Sequence, residues 1–263
     1  GEAQATSGEA QATSEETQAM SEEAQATAGT ALAEKIIRVD DCLQTLKDLA
    51  REHRRQFSIP VVAITGTNGK TTTTTLLGEI FKNAGRRTFV VGNIGTPYSG
   101  AVAGMKPGDV TVCEISSFMM ETSEQFHPSV CAVLNISEDH LNRHGTMENY
   151  ARLKMRIFEN QDSGDFAVFN GDDPLLAPYQ SRVKSRVLQF SRKFMPAEGA
   201  YVREGSVCFR LSGREERICP SEAIFIPGPH NLENALAAVC VAASQGVPGE
   251  VMARTLRTFR GVE

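Results

Sequence analysis

The sequence predicts an α/β fold: a mainly parallel sheet of the P-loop type with helices on both faces, plus a small antiparallel appendage. Three observations predict it. Residues 61–64 (VVAI) form a continuous apolar run, as in a strand buried on both faces. A glycine-rich loop follows at once, and behind it Leu76, Leu77, Ile80, Phe81 and Ala84 recur at helical spacing, with Gly85 as the stop. Further apolar runs at 88–91, 110–115, 130–134, 167–169 and 187–190 alternate with helical patterns at about 119–126, 147–160 and 231–245. Short strands between 201 and 226, broken by Gly205 and Gly213, read as the antiparallel appendage.

What precedes the first strand has a different character. Residues 1–28 are four seven-residue units, GEAQATS, GEAQATS, EETQAMS and EEAQATA, whose only repeated apolar residue is alanine. An alanine seam buries too little surface for a coiled coil, so residues 1–30 read as an acidic, low-complexity tail, disordered or weakly helical. In 31–57, Leu32, Ile36, Leu43, Leu46 and Leu49 recur at spacings of three, four and seven, which predicts a helical connector. Its basic end, Arg51, His53, Arg54 and Arg55, suits the negative end of a helix dipole. Residues 58–263 make the main domain.

Composition narrows the function classes. The formal net charge is −5, and the six glutamates of residues 1–30, which face no Lys or Arg there, account for more than that excess. The remainder is near neutral and offers no basic face for nucleic acid. Hydrophobic residues make up 41% of the 263, enough for a sizeable core, and no apolar run is long enough to span a membrane. Six scattered cysteines form no Cys-x-x-Cys pair, so reduced thiols in a cytoplasmic protein are expected, with no secretory pattern at the start.

The strongest local signal is Thr65-Gly66-Thr67-Asn68-Gly69-Lys70-Thr71, set between the buried strand and a helix. Glycines let the backbone wrap a phosphate, and the N–H groups of a helix N-terminus point at it. Lys70 is placed to reach the β- and γ-phosphates, and the Thr71 hydroxyl to ligate Mg²⁺. Thr67, Asn68, Gly69, Thr72 and Thr73 complete the expected ATP cradle. Gly66 and Gly69 are three apart, against five in the common P-loop.

Five further blocks follow in order: Gly92-Asn93-Ile94-Gly95-Thr96-Pro97, Glu114-Ile115-Ser116-Ser117-Phe118, residues 135–141 (NISEDHL), residues 154–160 (KMRIFEN) and residues 228–235 (GPHNLENA). With TGTNGKTTTT, this series resembles the Mur ligase and folylpolyglutamate synthase superfamily over about residues 58–263, and within it the branch that adds D-glutamate to a peptidoglycan precursor. The resemblance implies an ATP-dependent acid–amino-acid ligase in which a carboxylate attacks the γ-phosphate and an amine then displaces phosphate. It implies ATP and two Mg²⁺ ions as cofactors, and a UDP-muramoyl peptide precursor and an amino acid as small-molecule partners. Oligomeric state is left open.

By the same resemblance Glu114, at a strand's carboxyl end, and His140 are Mg²⁺ ligands, and Asp139 orients their surroundings. Lys154, between Arg152 and Arg156 on an amphipathic pattern, is a lysine carbamylated by CO₂, which makes it an anionic metal ligand. Lys70, His140 and Lys154 are the expected catalytic residues. Asn93 and Ser116 are expected to meet the sugar-nucleotide substrate, and His230, Asn231 and Asn234 the adenine end of ATP. Taken alone, a loop histidine is more often a surface residue, the lysine a solvated one and Asn231 a helix cap.

Three departures qualify the match. The segment before the loop resembles the connector of the D-Ala-D-Ala-adding branch. The family's N-terminal UDP-binding and C-terminal domains are expected to lie outside this chain, so that alone it is expected to bind Mg·ATP, with at most slow hydrolysis, and to make no UDP-muramoyl dipeptide. Met119 stands where the family has Gln, and Asn142 where it has Asp. Two alternatives stay open: a non-catalytic nucleotide-binding remnant, and a related ligase with another amino acid or a folate.

Overall fold

In the computed structural model the described residues are 39–42, 44, 45, 48, 49, 52 and 59–262. The heptad tail and most of the connector lie outside them. Within the connector the described positions Cys42, Gln44, Thr45, Asp48, Leu49 and Glu52 are helical. Asp41 caps that stretch, accepting the Gln44 N–H on its side chain at 2.8 Å.

The main unit is organised by one nine-stranded sheet, in the order β2-β3-β1-β4-β5-β6-β7-β8-β9. The strands are β1 (Val61–Thr65), β2 (Thr88–Gly92), β3 (Val110–Glu114), β4 (Val130–Val133), β5 (Phe166–Asn170), β6 (Arg186–Ser191), β7 (Gly199–Arg203), β8 (Ser206–Leu211) and β9 (Arg214–Pro220). Every pairing from β2 across to β7 is parallel. β7–β8 and β8–β9 are antiparallel. The expected antiparallel strands are thus present, and they continue the main sheet through β7.

The helices are α1 (Lys70–Asn83), α2 (Tyr98–Val102), α3 (Ser117–Thr122), α4 (Leu141–His144), α5 (Met147–Met155), α6 (Ala177–Gln180), α7 (Pro229–Ser244) and α8 (Gly249–Thr258). β1 shows why the sheet is covered on both sides. Val62 and Ile64 join a core with Leu76, Leu77, Ile80 and Phe81 of α1 and with α7. Val61 and Ala63 join the opposite core, with Cys131, Tyr150, Ile157 and Phe158. All four apolar side chains of α1 are fully buried, and each such burial stabilises the fold by about 1.5–3 kcal/mol. From Ala235 to Ala242 α7 is apolar all round, and that stretch lies wholly in the core, as such a segment must.

The helices depart from the sequence pattern at several points, the short α2, α4 and α6 among them, which were not expected. α3 starts at Ser117, earlier than expected, because the Ser116 hydroxyl accepts the Met119 N–H and fixes the start. The expected helix over 147–160 tightens after Met155 into a 3-10 turn, Arg156–Phe158, which buries both Ile157 and Phe158. α8 was not foreseen. Its buried Met252, Ala253, Thr255 and Leu256 form one largely apolar face, a periodicity present in the sequence that was passed over.

The order of strands positions the site. β3 and β4 flank β1, so the chain crosses over β1 between them. The loops leaving all three strands therefore meet at the carboxyl edge of the sheet, where ligands of open α/β sheets bind.

Candidate functional site

The loop after β1 is held by its neighbour strand. Asn135, just beyond β4, accepts the Thr67 and Asn68 N–H groups on its side-chain oxygen at 3.0 and 2.8 Å, and its amide donates to the Asn68 carbonyl at 3.1 Å. Gly69 needs to be glycine. Its φ is +80°, and a Cβ there would lie 2.2 Å from the Asn234 side-chain oxygen. Asn234, on α7, is thereby packed against the phosphate loop, and its amide reaches Asn231 at 3.3 Å.

Thr71 and Thr72 at the start of α1 are half-buried, whereas Thr73 is fully buried and donates its N–H to Gly69. Thr73 lies beneath the loop and offers no exposed donor. Lys70 folds over the loop, its Nζ donating to the Thr67 carbonyl at 2.9 Å. Burial lowers its pKa, against the opposing pull of Glu114 and Asp139.

Glu114 ends β3 almost completely buried. Its carboxylate accepts from the Thr71 hydroxyl at 2.9 Å and from the Asn93 amide at 3.1 Å. Asn93 is thus anchored to Glu114, and Ser116 is occupied as the helix cap. A carboxylate at the end of a strand, with a threonine hydroxyl beside it, offers the oxygen donors that suit a hard cation.

Lys154, read from sequence as a solvated face were the family ignored, is only 2% exposed. Its Nζ donates to the Gly66 carbonyl at 2.8 Å and stands 4.6 Å from the Tyr150 ring centre. Burial foremost, then the charge of Lys70, brings its pKa down to about 7, with Asp139 opposing. Near neutrality much of this amine is unprotonated and nucleophilic.

His140 leaves β4's loop in a left-handed conformation, φ 51° and ψ 27°, that costs a non-glycine residue about 1–2 kcal/mol. Its Nε2 lies 3.3 Å from the Asp139 carboxylate. Lys70, Asn93, Ser116, Asp139, His140 and Lys154 all border one cavity of about 90 Å³. Ser117, Phe118 and Tyr150 complete its wall.

Residues separated by more than eighty positions are therefore brought together. His230, Asn231 and Asn234 are not on this wall. His230 is exposed at the start of α7, and Asn231 donates to the Pro227 carbonyl at 2.8 Å. Asn231 lies inside the helix, so it is not the cap. A groove of about 490 Å³ beside the same helix start is bordered by Arg192, Glu222 and Leu232. Among the described residues, one group of three potential ligand atoms lies within 4.8 Å of one another: His127, Asp162 and Asp165, before β4 and β5 and so at the far edge of the sheet. Asp165 is occupied there by His127 at 2.6 Å and by the Asp162 N–H.

With this geometry in place, comparison with known proteins is informative. A family model described as the Mur ligase middle domain matches residues 64–242. The chain belongs to the Mur ligase family.

It is 55% identical over 203 residues to a UDP-N-acetylmuramoylalanine–D-glutamate ligase of Pelotomaculum thermopropionicum, covering 77% of this chain and 45% of the relative. To the enzyme of the same name from Caldanaerobacter subterraneus it is 46% identical over 237 residues, 89% of this chain and 52% of the relative. The chain spans about half the length of these curated relatives. Among solved structures, MurF of Acinetobacter baumannii superposes with a TM-score of 0.68 at 23% identity, over 86% of this chain and 52% of that one. MurF of Thermotoga maritima, solved in complex with ADP, gives 0.62 at 25% identity, over 85% and 54%. The blocks that carried the family resemblance in the sequence are the ones that meet at the sheet's carboxyl edge in this Mur ligase chain.

Several residues of the site escaped the sequence reading. Tyr150, Ser117 and Phe118 sit within or beside the quoted blocks, but nothing in their type or spacing announced the cavity wall. Asn135 carried one signal, a polar residue just past a buried strand. Replacing Asn135 with alanine removes three hydrogen bonds to the loop, so nucleotide affinity is expected to fall roughly tenfold or more, with a lower melting temperature. Calorimetric titration and thermal melts of both proteins measure this. Unchanged affinity would mean that the clamp does not shape the loop.

Proposed function

We propose that this domain binds Mg·ATP at the loop 65–73 and, within a whole ligase, activates the carboxylate of UDP-N-acetylmuramoyl-L-alanine for D-glutamate addition. The carboxylate oxygen attacks the γ-phosphorus, giving an acyl phosphate and ADP. The D-glutamate amine then forms the amide, releasing phosphate and a proton. The similarity to the D-glutamate-adding ligases supports this substrate pair, and cytoplasmic location goes with it.

The residue roles follow. Lys70 and the free N–H groups at the start of α1 would hold the β- and γ-phosphates. His230, Asn231 and Asn234, at the start of α7, would meet the base, with Asn234 packed against Gly69 of the loop. Asn93 and Ser116 border the cavity where the sugar-nucleotide's peptide end would lie. Thr71 and Glu114, which touch one another, offer oxygen donors that suit Mg²⁺, and His140, with Asp139 beside it, would hold the second of two ions. Bound there, the metal would neutralise charge on the phosphates.

The observation that carries the reading is Lys154: a lysine buried under the phosphate loop, in the same cavity wall as Lys70 and His140, with a pKa near 7. A neutral amine reacts with CO₂ to give a carbamate and a proton, which would turn Lys154 into an anionic ligand. The test uses ¹³C-labelled bicarbonate and carbon NMR. A carbamate signal is expected that grows as the pH rises through about 7, because the neutral amine fraction grows with it, and that is absent from Lys154→Gln. No Lys154-dependent signal at pH 8 would overturn the carbamate assignment. For the substrate pair, the full-length ligase is incubated with ATP, Mg²⁺, UDP-N-acetylmuramoyl-L-alanine and competing amino acids. Mass spectrometry then shows whether D-glutamate is the one incorporated.

A further inference from the structure

One buried histidine behind the cavity wall has no part in the reading above. His144, the last residue of α4, has a side chain only 1% exposed. Its ring lies between Phe118 and Tyr150, with centroids 5.4 and 5.3 Å away and interplanar angles of 26° and 29°. Its orientation is therefore fixed by packing. Nε2 is 3.0 Å from the Ser117 hydroxyl, and Nδ1 is 3.7 Å from the Glu121 carboxylate. Glu121 is itself held by Arg143 through two contacts, at 2.9 and 2.7 Å. A serine, a histidine and a glutamate thus form a chain from the cavity wall to the protein surface.

The direction of that chain decides what the cavity meets. A neutral imidazole carries one N–H, and the tautomer is set by the partner of the other nitrogen. The carboxylate beside Nδ1 favours the N–H on that side, which leaves the Nε2 lone pair facing Ser117. We propose that His144 is a positioning residue whose Nε2 accepts a hydrogen bond from the Ser117 hydroxyl, so that Ser117 presents oxygen lone pairs, and no donor, to the cavity. The chemistry such a wall recognises is a donor, and beside Lys70, Asp139 and His140 that donor is a water on the bound divalent cation. This last step rests on the Mg·nucleotide reading. The tautomer does not.

Two measurements on the chain separate them. The first is ¹⁵N NMR of histidine-labelled protein at pH 8, with the His144 resonances assigned by their loss in His144→Phe. A protonated Nδ1 and a bare Nε2 are expected; a protonated Nε2 overturns the proposal. The second compares ADP affinity in Mg²⁺ and in EDTA. Ser117→Ala and His144→Phe should each weaken binding about tenfold in Mg²⁺, the effect of one lost hydrogen bond. Both should leave binding in EDTA unchanged, and their combination should lose no more than either alone. His144→Gln, whose side-chain carbonyl can accept the same hydrogen bond, should restore most of the affinity. Equal losses in both buffers, or no loss from Ser117→Ala, would leave His144 a packing residue and sink the idea. If His144→Phe fails to fold, Ser117→Ala carries the comparison. A wild-type chain that binds ADP in neither buffer overturns the nucleotide reading and the cation-facing half, while the tautomer is judged on its spectrum alone.

Discussion

Replacing Lys70 with alanine is expected to reduce Mg·ATP affinity more than a hundredfold while leaving the fold intact. Lys70 is the cation carried on the phosphate loop itself, partly desolvated and folded onto the Thr67 carbonyl. Phosphate binding exchanges that neutral contact for charge-assisted ones in a setting where water screens poorly. Losing a buried partner of a charged ligand costs roughly 2–5 kcal/mol. The fold should survive, because the α1 core of Leu76, Leu77, Ile80 and Phe81 is untouched and the side chain makes one local hydrogen bond. Calorimetric titration with Mg·ATP measures the affinity, and circular dichroism checks the fold. An affinity unchanged within threefold would mean that the loop is not the phosphate site, and the proposed function would lose its foundation.

The second large effect concerns the sheet. Gly199 opens β7 at φ +131°, paired with Gln189 of β6, and a Cβ built there falls 1.7 Å from the Gln189 carbonyl oxygen. The obstacle is backbone, so relief requires the β6–β7 pair to part. Gly199→Ala is expected to destabilise the domain by roughly 4 kcal/mol or more, in the range reserved for strain and lost core packing. For a domain of this size that is a fall in melting temperature of about 10 °C. Gly104→Ala is the control, since its Cβ would meet only an ordinary contact at 3.6 Å, and it should move the melting point little. Thermal melts of the three proteins test this. A Gly199→Ala protein as stable as the wild type would mean that β7–β9 are not tied to the parallel sheet as described.

Much of this protein was legible in one dimension because its determinants are local. A strand buried on both faces must be apolar at every position, and 61–64 are. A helix behind a phosphate loop must keep one apolar face, and Leu76, Leu77, Ile80 and Phe81 do. Glycine and lysine at the turn between them mark a candidate phosphate loop before any packing is known, and the order of the later blocks identifies the family. Lys154 was different. Its sequence neighbourhood of Arg152 and Arg156 describes a solvated face, and only family resemblance argued otherwise.

Tertiary structure decided what depends on neighbours distant in sequence. Crossing over β1 puts β3 and β4 on either side of it, and that brings Glu114, Asn135 and His140 to the phosphate loop. Burial beneath that loop, next to Lys70, lowers the Lys154 pKa; no pattern of residues along the chain carries the electrostatic environment of an amine. The same holds for Asn135 as a clamp, for Asn234 against Gly69, and for a histidine stacked between Phe118 and Tyr150. Periodicity records which face of an element is buried. Which polar groups meet across the fold, and in what dielectric, is fixed only when the strands take their order.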